Sequence, residues 1–216
     1  MAISDAYATA AEYRAATDKV DTSEDAAILT DLTAVSRMIE LELGRFFNKD
    51  ASDVARDFIA FASGPVYPEA ENPWRWARGS KTLELGCDLA TVTSVVVDDD
   101  GDGTPETTVT TGNYQLWPLN ADKGPEARPY RALFIPEWST RSAWPSSRIV
   151  RITGKFGWPA VPGAIKAATI QLTAILRIET PRAEARVSEL GQLVQMSPKA
   201  MGIVHDLKRN YSRITL

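Results

Sequence analysis

Ala164-Ile165-Lys166-Ala167-Ala168-Thr169-Ile170-Gln171-Leu172-Thr173-Ala174-Ile175-Leu176-Arg177-Ile178 is the stretch on which the fold turns. Just ahead of it, Pro162 suits the first helical position, where a missing N–H costs nothing. Lys166, Thr169, Thr173 and Arg177 recur at spacings of three and four and form one narrow polar stripe. Apolar residues cover most of the remaining circumference. A helix this apolar must be buried by more than one partner. Two readings stand. Either it is a central helix inside one domain, or its own domain and a neighbouring subunit share it, with Ile165, Leu172, Ile175 and Leu176 at the subunit interface. Lys166, Gln171 and Arg177 interrupt the stretch, so it does not cross a bilayer cheaply. Met1 to Asp5 lacks the basic start and apolar run of a secretory peptide.

Helices are predicted on both flanks of the chain. Thr9-Ala10-Ala11-Glu12 fits a capping box, opening a short helix to about Thr17. Asp21-Thr22-Ser23-Glu24-Asp25 offers a second start, with acidic groups at the positive helix end. Ile28, Leu32, Val35, Ile39 and Leu43 then form an apolar stripe over some twenty residues, and Gly44 stands where a left-handed C-cap belongs. Near the other end, Ser197-Pro198 reads as an N-cap followed by proline, with Ile203, Leu207 and Tyr211 on one face. The last nine residues, Lys208 to Leu216, are basic with an apolar tip. They read as a frayed tail or as an arm that orders on a partner.

Between these flanks the pattern changes. Phe58 to Phe61, Leu83 to Leu85, Val92 to Val97, Tyr114 to Trp117, Leu133 to Ile135 and Ile149 to Ile152 are short, β-rich runs separated by Gly, Pro and Asn clusters. Gly64 to Gly79 and Asn120 to Pro129 read as loops. The expected fold class is therefore α+β: a small helical bundle, two helices from each chain end, interrupted by a β-rich insertion of about 100 residues. The expected boundaries are residues 1–55 and 159–216 for the bundle and 56–158 for the insertion. The six tryptophans, Trp74, Trp76, Trp117, Trp138, Trp144 and Trp158, are either interface anchors or plugs at the edges of the β layer.

Composition narrows the chemistry. In 216 residues there is one cysteine, Cys87, and one histidine, His205. That excludes a disulfide framework, a Cys-rich zinc ribbon and a multi-histidine metal site. Net charge is −4, yet residues 148–216 carry 11 Lys/Arg against 4 Asp/Glu, and residues 1–147 carry 13 against 24. An acidic body is a poor tight binder of nucleic acid, whose affinity comes mainly from neutralised phosphates. A protein partner for the basic end is favoured over DNA.

No nucleophile elbow, phosphate loop or dinucleotide fingerprint occurs, so neither an enzyme nor a bound cofactor is expected. Asp98-Asp99-Asp100-Gly101-Asp102-Gly103-Thr104 is the most conspicuous motif. Asp98, Asp100 and Asp102 match the opening of an EF-hand calcium loop, but the twelfth position is Val109 and the flanks read as strands. The favoured reading is a polar turn joining two strands, since Asp and Gly tolerate positive φ. A calcium site at the three aspartates is the weaker alternative.

The order of these pieces resembles the head–tail connector, or adaptor, proteins of long-tailed bacteriophages. Two tracts carry the resemblance best: Phe156-Gly157-Trp158-Pro159-Ala160-Val161-Pro162-Gly163-Ala164, and Val95 to Thr104 continuing to Asn113-Tyr114-Gln115-Leu116-Trp117-Pro118-Leu119-Asn120-Ala121. The opening Tyr7 to Tyr13 and Gly44-Arg45-Phe46-Phe47 are similar too. The resemblance implies a helical bundle of which twelve copies ring the underside of the portal, at the head–tail junction of the virion. Such a ring is assembled in the host cytoplasm, extends the DNA channel, passes double-stranded DNA without sequence-specific binding, and meets a stopper or other neck or tail protein. It implies no membrane partner. It further implies that the C-terminal segment docks on the portal, here through Lys208, Arg209, Tyr211, Arg213, Ile214 and Leu216. The β-rich insertion departs from the smallest members of the family.

Overall fold

A computed structural model describes residues 6–60, 81–123, 126–179 and 197–211. The fold is α+β, with four helices and a six-stranded sheet among the described residues. The chain divides into two compact units: Met1–Asn48 with Ala160–Leu216, and Lys49–Pro159. No described helix is long and apolar enough to cross a membrane.

The first unit is helical. α1 (Ala10–Ala16) starts at a complete capping box. The Glu12 N–H donates to Thr9 Oγ1 at 3.2 Å, and the Thr9 N–H donates to Glu12 Oε2 at 2.8 Å. α2 (Asp25–Leu43) has no side-chain cap; Ser23 is turned instead toward Asp21, whose carboxylate accepts from its N–H at 2.9 Å. The helix stops at Gly44, whose φ of +62° is open to glycine at little steric cost and whose N–H donates to the Glu40 carbonyl at 2.8 Å. Ile28, Leu32, Val35, Ile39 and Leu43 are all buried, and no residue from Asp31 to Glu40 is exposed. α2 is thus a central helix.

α3 (Gly163–Glu179) packs on α1, on α2 and on α4 (Pro198–Tyr211). It begins one residue after Pro162, whose carbonyl accepts the Lys166 N–H at 3.0 Å. Ile165, Leu172, Ile175 and Leu176, expected at a subunit interface, are core within the single chain, each at most 8% exposed. The polar stripe points largely inward. Thr169 and Thr173 are fully buried, and their hydroxyls donate to the carbonyls of Ile165 and Thr169 at 2.9 and 2.8 Å. Arg177 pairs with buried Asp31 at 2.6 Å, and Lys166 pairs with Glu12 at 2.7 Å. The two threonine hydroxyls are satisfied one turn back, the Arg177 charge is neutralised by buried Asp31, and the Lys166–Glu12 pair stays partly in solvent. What remains on the surface is mainly Ala164, Ala167, Gln171 and Ile178.

The second unit is an antiparallel sheet. Its strands are β1 (Val54–Ile59), β2 (Thr82–Val97), β3 (Thr107–Thr108), β4 (Gln115–Trp117), β5 (Tyr130–Phe134) and β6 (Ile149–Phe156). The order is β1-β6-β2-β5-β4, with β3 on β2. The two runs at Leu83 and Val92 are parts of one long strand, whose pairing with β5 shifts between Glu84 and Leu89 around Gly86 at φ +52°. β6 alternates half-buried and buried residues, as a strand with one covered face must. Its inward residues Val150, Ile152 and Phe156 meet Leu89, Val95, Leu133 and Trp144 in the core. The tryptophans divide between the two readings. Trp144 is fully buried and Trp158 nearly so, whereas Trp117 and Trp138 are 52% and 71% exposed; Trp74 and Trp76 lie outside the described residues, as does the predicted loop Gly64 to Gly79.

Candidate docking surface and acidic turn

α4 presents one buried edge, Ala200, Val204 and Leu207, to the helical unit. That leaves Lys199, His205, Asp206, Lys208 and Arg209 exposed. Lys208 Nζ reaches Glu42 of α2 at 2.6 Å. Of the predicted docking residues, Lys208 and Arg209 therefore lie together on the surface. Tyr211 is half-buried, its ring stands edge-on to Phe47 at 5.9 Å, and its carbonyl accepts from Arg45 Nη1 at 3.0 Å. Arg213, Ile214 and Leu216 lie outside the described residues. Arg45 and Phe47 were not singled out as site residues. Their one sequence signal is an arginine set among aromatic residues just past a helix-ending glycine.

Behind this surface is a buried polar centre. The Tyr7 hydroxyl donates to Glu40 and accepts the Phe47 N–H at 3.0 Å, while the Tyr7 N–H donates to Ser36 Oγ at 3.0 Å. Arg37 Nη2 lies 3.0 Å from Glu40 Oε1. Burial raises the Glu40 carboxyl above the usual carboxylate range, against the Tyr7 hydrogen bond and the Arg37 charge that both favour ionisation. Burial also drives the Tyr7 hydroxyl upward, and the bond to Glu40 adds to the rise.

The acidic motif is the connection from β2 to β3. Asp98 is 2% exposed, and its carboxylate accepts the N–H groups of Gly101 at 2.6 Å and Gly103 at 3.0 Å. Asp100 accepts from the Asp102 N–H at 3.1 Å, and Asp102 from the Thr104 N–H at 2.7 Å. Glu106 accepts the Asp99 N–H at 2.9 Å. Gly101 and Gly103 have φ of +85° and +91°. Arg141 grips the Asp99 carboxylate, and Arg148 donates to the Asp99 carbonyl. The Arg141 hydrogen bonds hold the Asp99 carboxyl below its ordinary range.

Asp98, Asp100 and Asp102 are thus brought together, and Glu106 joins them, with one carboxylate oxygen from each within 4.8 Å of the others. That spacing suits an oxygen-loving cation. Yet the deepest member, Asp98, already spends both oxygens on backbone N–H groups, which is the chemistry of an Asx-closed turn. Glu106 is the ninth residue counted from Asp98, a ligand position of the EF-hand spacing, so the spacing itself held the signal for it. His205 is exposed on α4 and Cys87 is half-buried in β2.

The fold and these surfaces define an α+β protein whose chain ends build a helical unit and whose middle builds a sheet. No family model matches the sequence, and no curated protein matches it. Among solved structures, the chain is similar to one from the virion of a native gene transfer agent (GTA) particle, at 20% identity over 96% of this chain and 90% of that one, with a TM-score of 0.49. It is also similar to a chain in the neck of an empty GTA particle computed with C6 symmetry, at 20% identity, over 84% of this chain and 87% of that one, TM-score 0.41. A chain in the neck of a native GTA particle computed with C12 symmetry gives 18% identity, 83% and 86% coverage, and a TM-score of 0.42.

Proposed function

We propose that the chain is a structural neck protein of a phage-like virion, an adaptor whose copies form a ring below the portal, extend the DNA channel and join head to tail. One observation carries the reading. Both chain ends fold into one helical unit, in keeping with the bundle that the adaptor resemblance implies, and the hundred or so residues between them form a sheet. The tracts that carry the resemblance fall at defined structural joints. Asp98 to Gly103 closes the β2–β3 turn, and Gly157, at φ +105°, ends β6 ahead of α3. The charge distribution supports the same role. An acidic body lets DNA pass without holding it, and the basic exposed end of α4 complements an acidic portal surface, aiding orientation and encounter. A closed ring needs head-to-tail contacts between copies. Because the apolar face of α3 is consumed inside the chain, those contacts draw on other surfaces.

The test is to mix the purified chain with the portal of the same particle and image the product by electron cryomicroscopy. Twelvefold rings seated on the portal are expected. Free chains beside bare portals overturn the reading. Sub-micromolar DNA binding by the chain alone, falling steeply with salt, would instead make it a DNA-binding accessory module.

A further inference from the structure

We propose that Arg45, Phe47 and Tyr211 form a latch that fixes the end of α4 to the segment following α2. The last turn of α4 is thereby held at a set point. Arg45 is 4% exposed, and its Nη1 donates to the Tyr211 carbonyl at 3.0 Å. Carbonyls in a helix's last turn lack intrahelical partners, and a guanidinium there also meets the negative end of the helix dipole. The Phe47 ring stands edge-on to Tyr211 at 5.9 Å and to Tyr7 at 5.7 Å. Phe47 is itself held, because its N–H donates to the Tyr7 hydroxyl. One turn earlier, Lys208 pairs with Glu42, but this pair is half in solvent and adds little.

α4 has 14 residues and no acidic group in its first turn. A helix of that length is marginal on its own, so its last turn depends on what grips it. The latch stands on contacts inside the helical unit. Its use rests on the docking reading above: an arm leaving from a fixed root loses less freedom on binding than one leaving from a frayed helix. Arg45 and Phe47 are then positioning residues.

Limited trypsin digestion of the native full chain tests this. Cutting after Lys208 or Arg209 requires the last turn of α4 to open, so the rate reports the open population. Arg45→Met, which loses one ordinary hydrogen bond, and Tyr211→Ala, which keeps the carbonyl but loses the edge-on ring contact with Phe47, are each expected to raise the initial cutting rate at those bonds about fivefold. His205→Ala, on the exposed side of the same helix, leaves the rate unchanged. Cutting after Arg37, in the middle of α2, stays at the parent rate in the Tyr211 variant. An unchanged rate at Lys208 and Arg209 in Tyr211→Ala overturns the latch, and so does equal acceleration at Arg37. Portal binding is measured on the same variants. A parent chain that ignores the portal retires the docking reading, while the cutting rates still decide the latch. A parent that binds, with Tyr211→Ala binding equally well, refutes the latch's role in docking.

Discussion

Tyr7 and Glu40 are 33 residues apart in sequence and are joined by a hydrogen bond inside the helical unit. Replacing Tyr7 with Phe removes both the donor to Glu40 and the acceptor for the Phe47 N–H, at nearly constant shape. The Phe47 N–H then loses this acceptor and Glu40 loses a donor while keeping Arg37, at a cost of about 1–3 kcal/mol for a buried group left unsatisfied. The expected result is a lower urea midpoint with the same slope. Glu40 also sets a pH dependence. Burial raises its folded pKa above the ordinary 4.5, so the folded chain holds this proton where the unfolded chain has lost it. Its contribution is full below 4.5 and is lost as pH rises through the raised value. Stability of the parent is therefore expected to fall relative to Glu40→Gln as pH climbs from about 4.5 toward neutrality. Parallel stability curves for the two proteins would contradict this. Asp99 has the opposite sign. Hydrogen bonds from Arg141 lower its pKa, so its contribution is present above the ordinary 3.8 and fades as pH falls through the lowered value.

Elements were legible where their chemistry is local. The Thr9–Glu12 box, the stripe from Ile28 to Leu43 and the Gly44 stop each depend on neighbours within a turn, so spacing alone reveals them. The orientation of α3 depends on what α1 and α2 offer, and that is non-local. A threonine in a helix can face water or satisfy itself on the carbonyl four residues back, and the pattern is the same either way. Two substitutions separate the cases. Thr169→Val keeps the shape of a fully buried side chain and loses only a back-bonded hydroxyl, so the expected change is within about 1 kcal/mol. Thr169→Lys buries an unpaired charge and is expected to lower the melting temperature sharply or prevent folding. A lysine tolerated at parental stability would mean that the stripe faces solvent. In the sheet, Gly154 of β6 lies so close to β2 that a Cβ would sit 2.1 Å from the Thr91 carbonyl oxygen. That oxygen belongs to the backbone and cannot rotate away. Gly154→Ala is therefore expected to cost about 3 kcal/mol, at the upper end of overpacking penalties. No sequence spacing announced this contact, because the β6–β2 register exists only once the strands pair.

At the scale of the molecule, what sequence could supply was the alternation of character: helical flanks, β-rich middle, acidic body, basic end. It could not supply which strands are neighbours, because β1 pairs with β6 across the whole middle of the chain. Nor could it supply how completely one chain covers its own apolar helix. The two units carry separate cores. Leu32 is buried with Ala8, Tyr13 and Ile28 in the helical unit, and Leu133 with Trp144, Val150 and Ile152 in the sheet. A cavity costs stability where its lining loses contacts, so each core should report on its own unit. Leu32→Ala and Leu133→Ala are each expected to cost about 2–5 kcal/mol. Amide hydrogen exchange on the full chain should show where the loss falls. Leu133→Ala speeds exchange in β2, β5 and β6 and leaves α2 at its parental rate, and Leu32→Ala does the reverse. If Leu133→Ala deprotects α2 as strongly as β6, the two cores unfold as one cooperative body and the division of the chain has no energetic counterpart.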